Sequence, residues 1–265
     1  MKIAVHAPFG SGCEEIGVVA ILAKYLKRIY PDITQLRCSG SFSACDRDSD
    51  TQWRRGISNC FRCMQDQQEI SRWSEVGLSD LSSFISADEI RESREWITQA
   101  ATDELPSIKF AGVHAFPLII GSFHNRFGAE EPNLTNHHHE QVVRRQILSA
   151  VRASLGMRRF LKEYRPTLVI AARGENFISQ SLFTQASALG VSVASVKWDL
   201  SSRVVHVTHP HTREEFTCEL VLNNVAGMRA DISTWPRELL GIVEGLTSFL
   251  GLESQQIPLQ MAREA

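Results

Sequence analysis

The sequence predicts an α/β protein centred on a Rossmann-like, doubly wound, mostly parallel sheet. Two β-α-β patterns carry that expectation, one over 2–38 and one over 167–200; in each, an apolar run of strand length passes through a turn into a helical stretch. A polar, cysteine-rich stretch between them and a period-two hairpin pattern after residue 201 complete the outline.

Composition bounds the reading. At 265 residues the chain can bury a sizeable core, and it reads as a single domain over 1–265. Hydrophobic content of 43% and charged content of 22% are ordinary for a globular protein. A net charge of −2 argues against a nucleic-acid binder, which needs a basic excess to neutralise phosphates. No basic segment followed by a long apolar one opens the chain, so no signal peptide is read. The longest apolar-leaning stretch, 110–123, contains His114 and Pro117 and is too short for a transmembrane segment. The expected location is cytoplasmic.

Taken in order, Lys2 to Ala7 forms a strand that Pro8, Phe9, Gly10, Ser11 and Gly12 break. Ile16, Val19, Ala20, Ala23, Leu26 and Tyr30 then recur at helical spacing, with Lys24, Lys27 and Arg28 on the opposite side. Pro31-Asp32 ends this helix, and a second strand runs up to Cys38. The glycine turn lies at the carboxyl end of the first strand, where doubly wound sheets bind ligands. Its third glycine, Gly17, falls two residues too late for the dinucleotide fingerprint, which disfavours NAD. Gly10 and Gly12 remain candidates to hold a phosphate or sugar hydroxyl through backbone amides, against a plain tight turn.

The module 38–70 carries Cys38, Cys45, Cys60 and Cys63 in the spacing C-x6-C-x14-C-x2-C, among residues too polar to build their own core. Two cysteine pairs so spaced fit a four-thiolate metal site, holding zinc or an iron–sulfur cluster. Disulfides and ordinary reduced thiols are the alternatives; the lack of an export signal favours a reducing compartment and hence metal.

Farther on, Ser86 and Glu89 have capping-box spacing and start a helix running to about Glu104, which Leu105-Pro106 stops. The block 108–128, with His114, His124 and Arg126, reads as a strand or turn leading into a short helix that lines a cleft. After a loop over 130–136, a long helix spans His137 to Glu163. Val142, Ile147, Val151, Leu155 and Phe160 point to its core side, and Arg144, Arg145, Arg152, Arg158 and Arg159 outward. The clearest buried strand, 167–173, ends in Arg173-Gly174-Glu175-Asn176; its helix closes at Gly190, and the next strand carries Asp199 near its end. A hairpin and a last helix occupy 201–252.

Candidate chemistry collects at the strand ends. Arg173 suits a phosphate, and Glu175 and Asp199 suit a base or a sugar-hydroxyl binder. The plainer reading of Glu175 and Asn176 is a helix cap. His6 reads as a packed histidine, and His137, His138 and His139 as solvated surface. His206, His209 and His211 could bring two imidazoles together on the hairpin, with turn chemistry around Pro210 the blander account. Cys13 and Cys218 are isolated thiols.

Several of these features recur together: the glycine turn and helix, the strand ending in C-x-G-x4-C (Cys38, Gly40, Cys45), an arginine-bearing loop to Cys60 and Cys63, GLSDLSSFIS, and a Gly-Val-His segment running to an arginine. In that order they resemble bacterial surface-polysaccharide proteins of the capsule and lipopolysaccharide type. Over about 1–215 the chain is similar to the N-terminal half of GT-B glycosyltransferases. The resemblance implies sugar transfer from a nucleotide-activated donor, with this half handling the glycan acceptor. A direct displacement is then expected, with Glu175, Asp199 or His114 deprotonating an acceptor hydroxyl and Gly10, Gly12, Arg173, Gly174 and Asn176 binding substrate. GT-B enzymes bind the nucleotide mainly through a C-terminal half, whereas only a hairpin and a helix follow here, so donor binding is expected from a partner subunit. GT-B catalysis needs no metal, so an ion on the cysteines would be structural, or redox-active in an iron–sulfur cluster. The alternatives are a non-catalytic metal-binding assembly protein and a metal-dependent hydrolase using His206, His209 and His211.

Overall fold

The first apolar run becomes β1 (Ile3–His6), buried at every position because strands lie on both its sides and helices on both its faces. Its neighbours, β2 (Ile33–Arg37) and β6 (Leu168–Ala172), are both parallel to it. The computed structural model describes residues 1–9, 15–45, 57–199, 202, 204–219 and 237–252, and among them one seven-stranded sheet. Beyond β2 lies β3 (Gly77–Asp80), also parallel; beyond β6 lie β7 (Ser192–Asp199), parallel, then β8 (Val204–Thr208) and β9 (Glu215–Glu219), both antiparallel. The order β3-β2-β1-β6-β7-β8-β9 winds away from β1 in both directions, as expected for a doubly wound, mostly parallel sheet.

Helices α1 (Glu15–Ile29), α2 (Ile57–Ser74) and α7 (Arg237–Phe249) cover one face. The other is covered by α4 (Phe116–Phe127), α5 (His137–Tyr164) and α6 (Phe177–Leu189), with α3 (Ala87–Gln99) packed outside α5. Phe123, Phe160 and Phe177 are fully buried on that second face, each stabilising by about 1.5–3 kcal/mol through burial alone. A two-stranded hairpin, β4 (Lys109–Phe110) and β5 (Val113–His114), leads into α4, matching the turn and short helix read from 108–128.

Four expectations need correction. The cysteine-rich stretch is not an insertion hung on the sheet: its second half is α2, the crossover helix between β2 and β3. Its pattern is faint because Cys60, Cys63, Gln67 and Ser71, not large aliphatics, mark its inner stripe. Lys24 is buried rather than solvated, because the end of α2 covers it. Its ammonium donates to Trp73 O, sits 3.3 Å from Glu75 Oε1 and lies 5.0 Å from the Trp73 ring centroid. Arg152 is likewise only 5% exposed, since α3 lies over α5 and takes its guanidinium on Ser93 Oγ (3.1 Å) and Ile90 O (2.7 Å). Finally, α3 ends at Gln99 rather than about Glu104, with turns filling 101–107. Its start is as read: Ser86 Oγ accepts from Glu89 N–H, and Glu89 accepts from Ser86 N–H.

No helix among the described residues is long and apolar enough to cross a membrane.

Candidate functional site

The chain leaves β1 toward α1 on one face and β6 toward α6 on the other, so the carboxyl ends of β1 and β6 flank the switch point of the sheet. On the β6 side the loop 173–176 is held from three directions. Arg173 N–H donates to Val196 O at 2.6 Å, carrying the β6–β7 ladder one residue further. Asn176 caps α6: its Oδ1 accepts from Ser179 N–H at 2.9 Å and its Nδ2 donates to Ser179 Oγ at 3.1 Å. Helix α4 presses from above, where Ser122 Oγ accepts from Phe177 N–H at 2.8 Å and Gly121 abuts Glu175. A Cβ on Gly121 would fall 2.4 Å from Glu175 O, so only glycine permits this approach.

The loop opens onto a groove of about 840 Å³ between the flank of α6 and a face of β7 and β8 that no helix among the described residues covers. Arg173, Gly174 and Glu175 line one end; Val193, Ser195, Lys197 and Thr208 form the floor; Gln180, Phe183 and Ser187 supply the α6 wall; His211 and Arg213 stand at the far end. Strand alternation explains the floor. Ala194 and Val196 point into the α1 side of the core, so Val193, Ser195 and Lys197 face the groove. Glu175 is the one carboxylate among the lining residues, against the cations of Arg173, Lys197 and Arg213. Glu175, Arg173 and Lys197 are all exposed, so they are reachable by a ligand.

The remaining candidates are distributed as follows. Asp199 ends β7 two residues beyond Lys197, on the same face by alternation, with its Oδ1 3.5 Å from Ser202 N. His114 is on the β4–β5 hairpin, where its Nε2 donates to Pro106 O at 2.7 Å. It stands beside the Arg158 end of α5 and does not line the groove. Asn176 is 8% exposed and its amide is taken up by the cap, which leaves it a positioning role rather than substrate contact. Gly174 lines the groove, and its carbonyl accepts from Gln180 Nε2 at 3.0 Å. Gly10, Gly12 and Cys13 lie outside the described residues.

Cys38 follows β2 and is 7% exposed, packed in the core beside Phe42, whose ring meets Phe177 edge-on at 5.8 Å. Cys45, Cys60 and Cys63 are partly exposed, the last two on the first turns of α2. Among the described residues no three His, Cys, Asp or Glu side chains gather as a group able to hold a metal ion; residues 46–56, between the cysteine pairs, are outside the description.

The histidines divide by role. His6 is fully buried, with Nδ1 3.0 Å from Leu36 O, and burial pulls its pKa down to about 4, so it stays neutral. His206 Nδ1 lies 3.5 Å from Glu215 Oε2 across β8 and β9, His209 Nδ1 accepts the turn amides of His211 and Thr212, and His211 Nε2 meets Ser192 Oγ at 3.1 Å. The hairpin thus brings two imidazoles together, His209 and His211 with ring centroids 5.8 Å apart, while His206 stands with Glu215. His138 and His139 pack on Phe127, and burial, then Arg126 and His139, lower the His138 pKa. Cys218 faces the α1 side of the core, where burial pushes its thiol up to about 11, far from a nucleophilic thiolate.

Reading the sequence missed Lys197 and Arg213 as site residues. The alternation of VSVASVKWDL held the signal for Lys197, since it shares a face with Ser195; Arg213 reaches the groove only through the β8–β9 turn.

The fold and the groove define an α/β protein with an open groove that runs along β7 from the carboxyl end of β6. No protein-family model, curated protein or solved structure matches the chain.

Proposed function

We propose that this chain is a glycosyltransferase-like protein of surface-glycan biosynthesis, handling the acceptor while a partner subunit contributes to nucleotide-sugar binding. The observation that supports it is the groove, where one carboxylate, Glu175, stands at the strand end among cations and hydroxyls. In the reaction Glu175 takes the proton of an acceptor hydroxyl as its oxygen bonds to the anomeric carbon. The anomeric C–O bond to the donor phosphate breaks, and the nucleoside diphosphate leaves with that electron pair. Asp199, on the same face, is the second carboxylate within the reach of the floor.

The test is reconstitution. Purified chain is added to an extract of the producing cell lacking it, with labelled nucleotide sugars, and incorporation into glycan is counted. Glu175→Gln lowers incorporation by about 100-fold or more, the usual worth of a general base, with an unchanged thermal midpoint. Full incorporation by the variant refutes the assignment.

A second reading, a metal-holding module that binds a partner without chemistry of its own, draws on Cys60 and Cys63 standing about one turn apart on α2. Metal analysis of anaerobically purified protein decides it. A visible absorption band marks iron–sulfur, stoichiometric colourless metal marks zinc, and neither sinks the four-thiolate site.

A further inference from the structure

Arg173 and Lys197 pose an electrostatic problem. The ladder bond from Arg173 N–H to Val196 O sets the two on adjacent strands at matching register, roughly 4.8 Å apart in backbone, with both side chains on the groove face. Like charges directly opposite each other in a sheet repel. Among the described residues neither has an ion-pair partner: no carboxylate comes within 4.0 Å of either, although Lys24, Arg37, Arg144 and Arg159 all find one. Arg213, at the other end of the same groove, is also without one among the described residues. From Lys197 back to Ser192 the β7 floor runs roughly 17 Å at the rise of an extended strand. That floor offers the hydroxyls of Ser195 and Thr208, and the wall offers the ring of Phe183.

We infer that the groove binds an extended oligosaccharide bearing anionic groups, one clamped between Arg173 and Lys197 and another met by Arg213. The hydroxyl floor takes the sugar hydroxyls, and Phe183 packs on a sugar face. The cations share an anion that offsets their mutual repulsion, and the clamp sets the glycan end beside Glu175. This deepens the glycosyltransferase reading and rests on it, naming the acceptor as an acidic glycan. Carboxylate and phosphate share the needed chemistry, planar or tetrahedral oxygens for Arg and a point charge for Lys.

The experiment measures calorimetric binding of four probes without any donor: a galacturonic acid tetramer, a phosphorylated maltotetraose, neutral maltotetraose and inorganic pyrophosphate. The acidic tetrasaccharides are expected to bind more tightly than the neutral one, by about tenfold or more, and to weaken as ionic strength rises. Whichever acidic probe binds tighter names the anion. Arg173→Gln, Lys197→Ala and Arg213→Ala each remove most of that preference while their thermal midpoints stay at the parent value, as expected for exposed side chains. Equal binding of acidic and neutral probes overturns the inference, as does a preference that survives all three substitutions. Pyrophosphate binding with no gain for a tetrasaccharide overturns the extended-glycan part. Selective binding without sugar incorporation leaves the clamp standing and overturns the transferase reading, whereas incorporation into neutral acceptors at the same rate overturns the clamp alone.

Discussion

Lowering the pH should destabilise this protein through one buried imidazole. His6 sits in the central strand, fully enclosed, with its Nδ1 on Leu36 O and no hydrogen-bond partner for Nε2 among the described residues. Burial depresses its pKa from 6.5 to about 4, only partly countered by the Leu36 carbonyl. The unfolded chain therefore binds the proton first, and stability falls as pH drops from about 6.5 toward 4 and is fully present above that window. The shift converts to a loss of about 2 kcal/mol by pH 5 and about 3 kcal/mol by pH 4. His6→Asn preserves a donor near the Leu36 carbonyl but cannot titrate. Urea unfolding of both proteins between about pH 7 and pH 5 isolates the His6 share, because every other titrating group, His138 included, is common to both. The variant carries a pH-independent packing cost, and its stability should decline less steeply by about 2 kcal/mol across that interval. Parallel slopes for the two proteins refute the account of His6 as a buried neutral group.

Three further outcomes are expected. Gly121→Ala forces a methyl into the backbone of Glu175, so it should cost about 1–3 kcal/mol in chemical denaturation and lower sugar incorporation by displacing the loop that carries Glu175. Ser86→Ala removes the hydroxyl arm of the α3 capping box and should cost about 1 kcal/mol in the same assay, with incorporation untouched. Asn176→Ala removes the α6 cap and should cost about 0.5–2 kcal/mol; a loss of incorporation at unchanged stability would instead return Asn176 to a substrate-binding role.

The strands and the long helix were legible because their signals are local. The run through Val169, Ile170 and Ala171 has the density of a doubly covered strand, and Ser86 with Glu89 announces the start of α3. The first half of the site was legible for the same reason: a loop after the strongest strand, in a doubly wound sheet, is where working residues are placed. The less visible elements owe their formation to distant partners. Edge strand β3 is short and half exposed, and α2 buries Gln67 and Ser71 rather than aliphatics, so neither carries a clear period. Arg152 falls on the polar side of α5 by periodicity yet is buried, because α3, some sixty residues earlier in the chain, supplies Ser93 and the Ile90 carbonyl to it.

Periodicity, caps and turn residues along the chain already determined that strands and helices alternate, that the sheet is mostly parallel and that Arg173 to Asn176 follow a central strand. These depend on neighbours a few residues apart. Tertiary structure decided that Arg173 and Lys197 stand side by side, that Gly121 locks Glu175, that Asn176 is spent on a cap and that Arg213 closes the far end of the groove. Each of these rests on register or packing between segments far apart in sequence, and only the folded sheet brings such segments within contact distance.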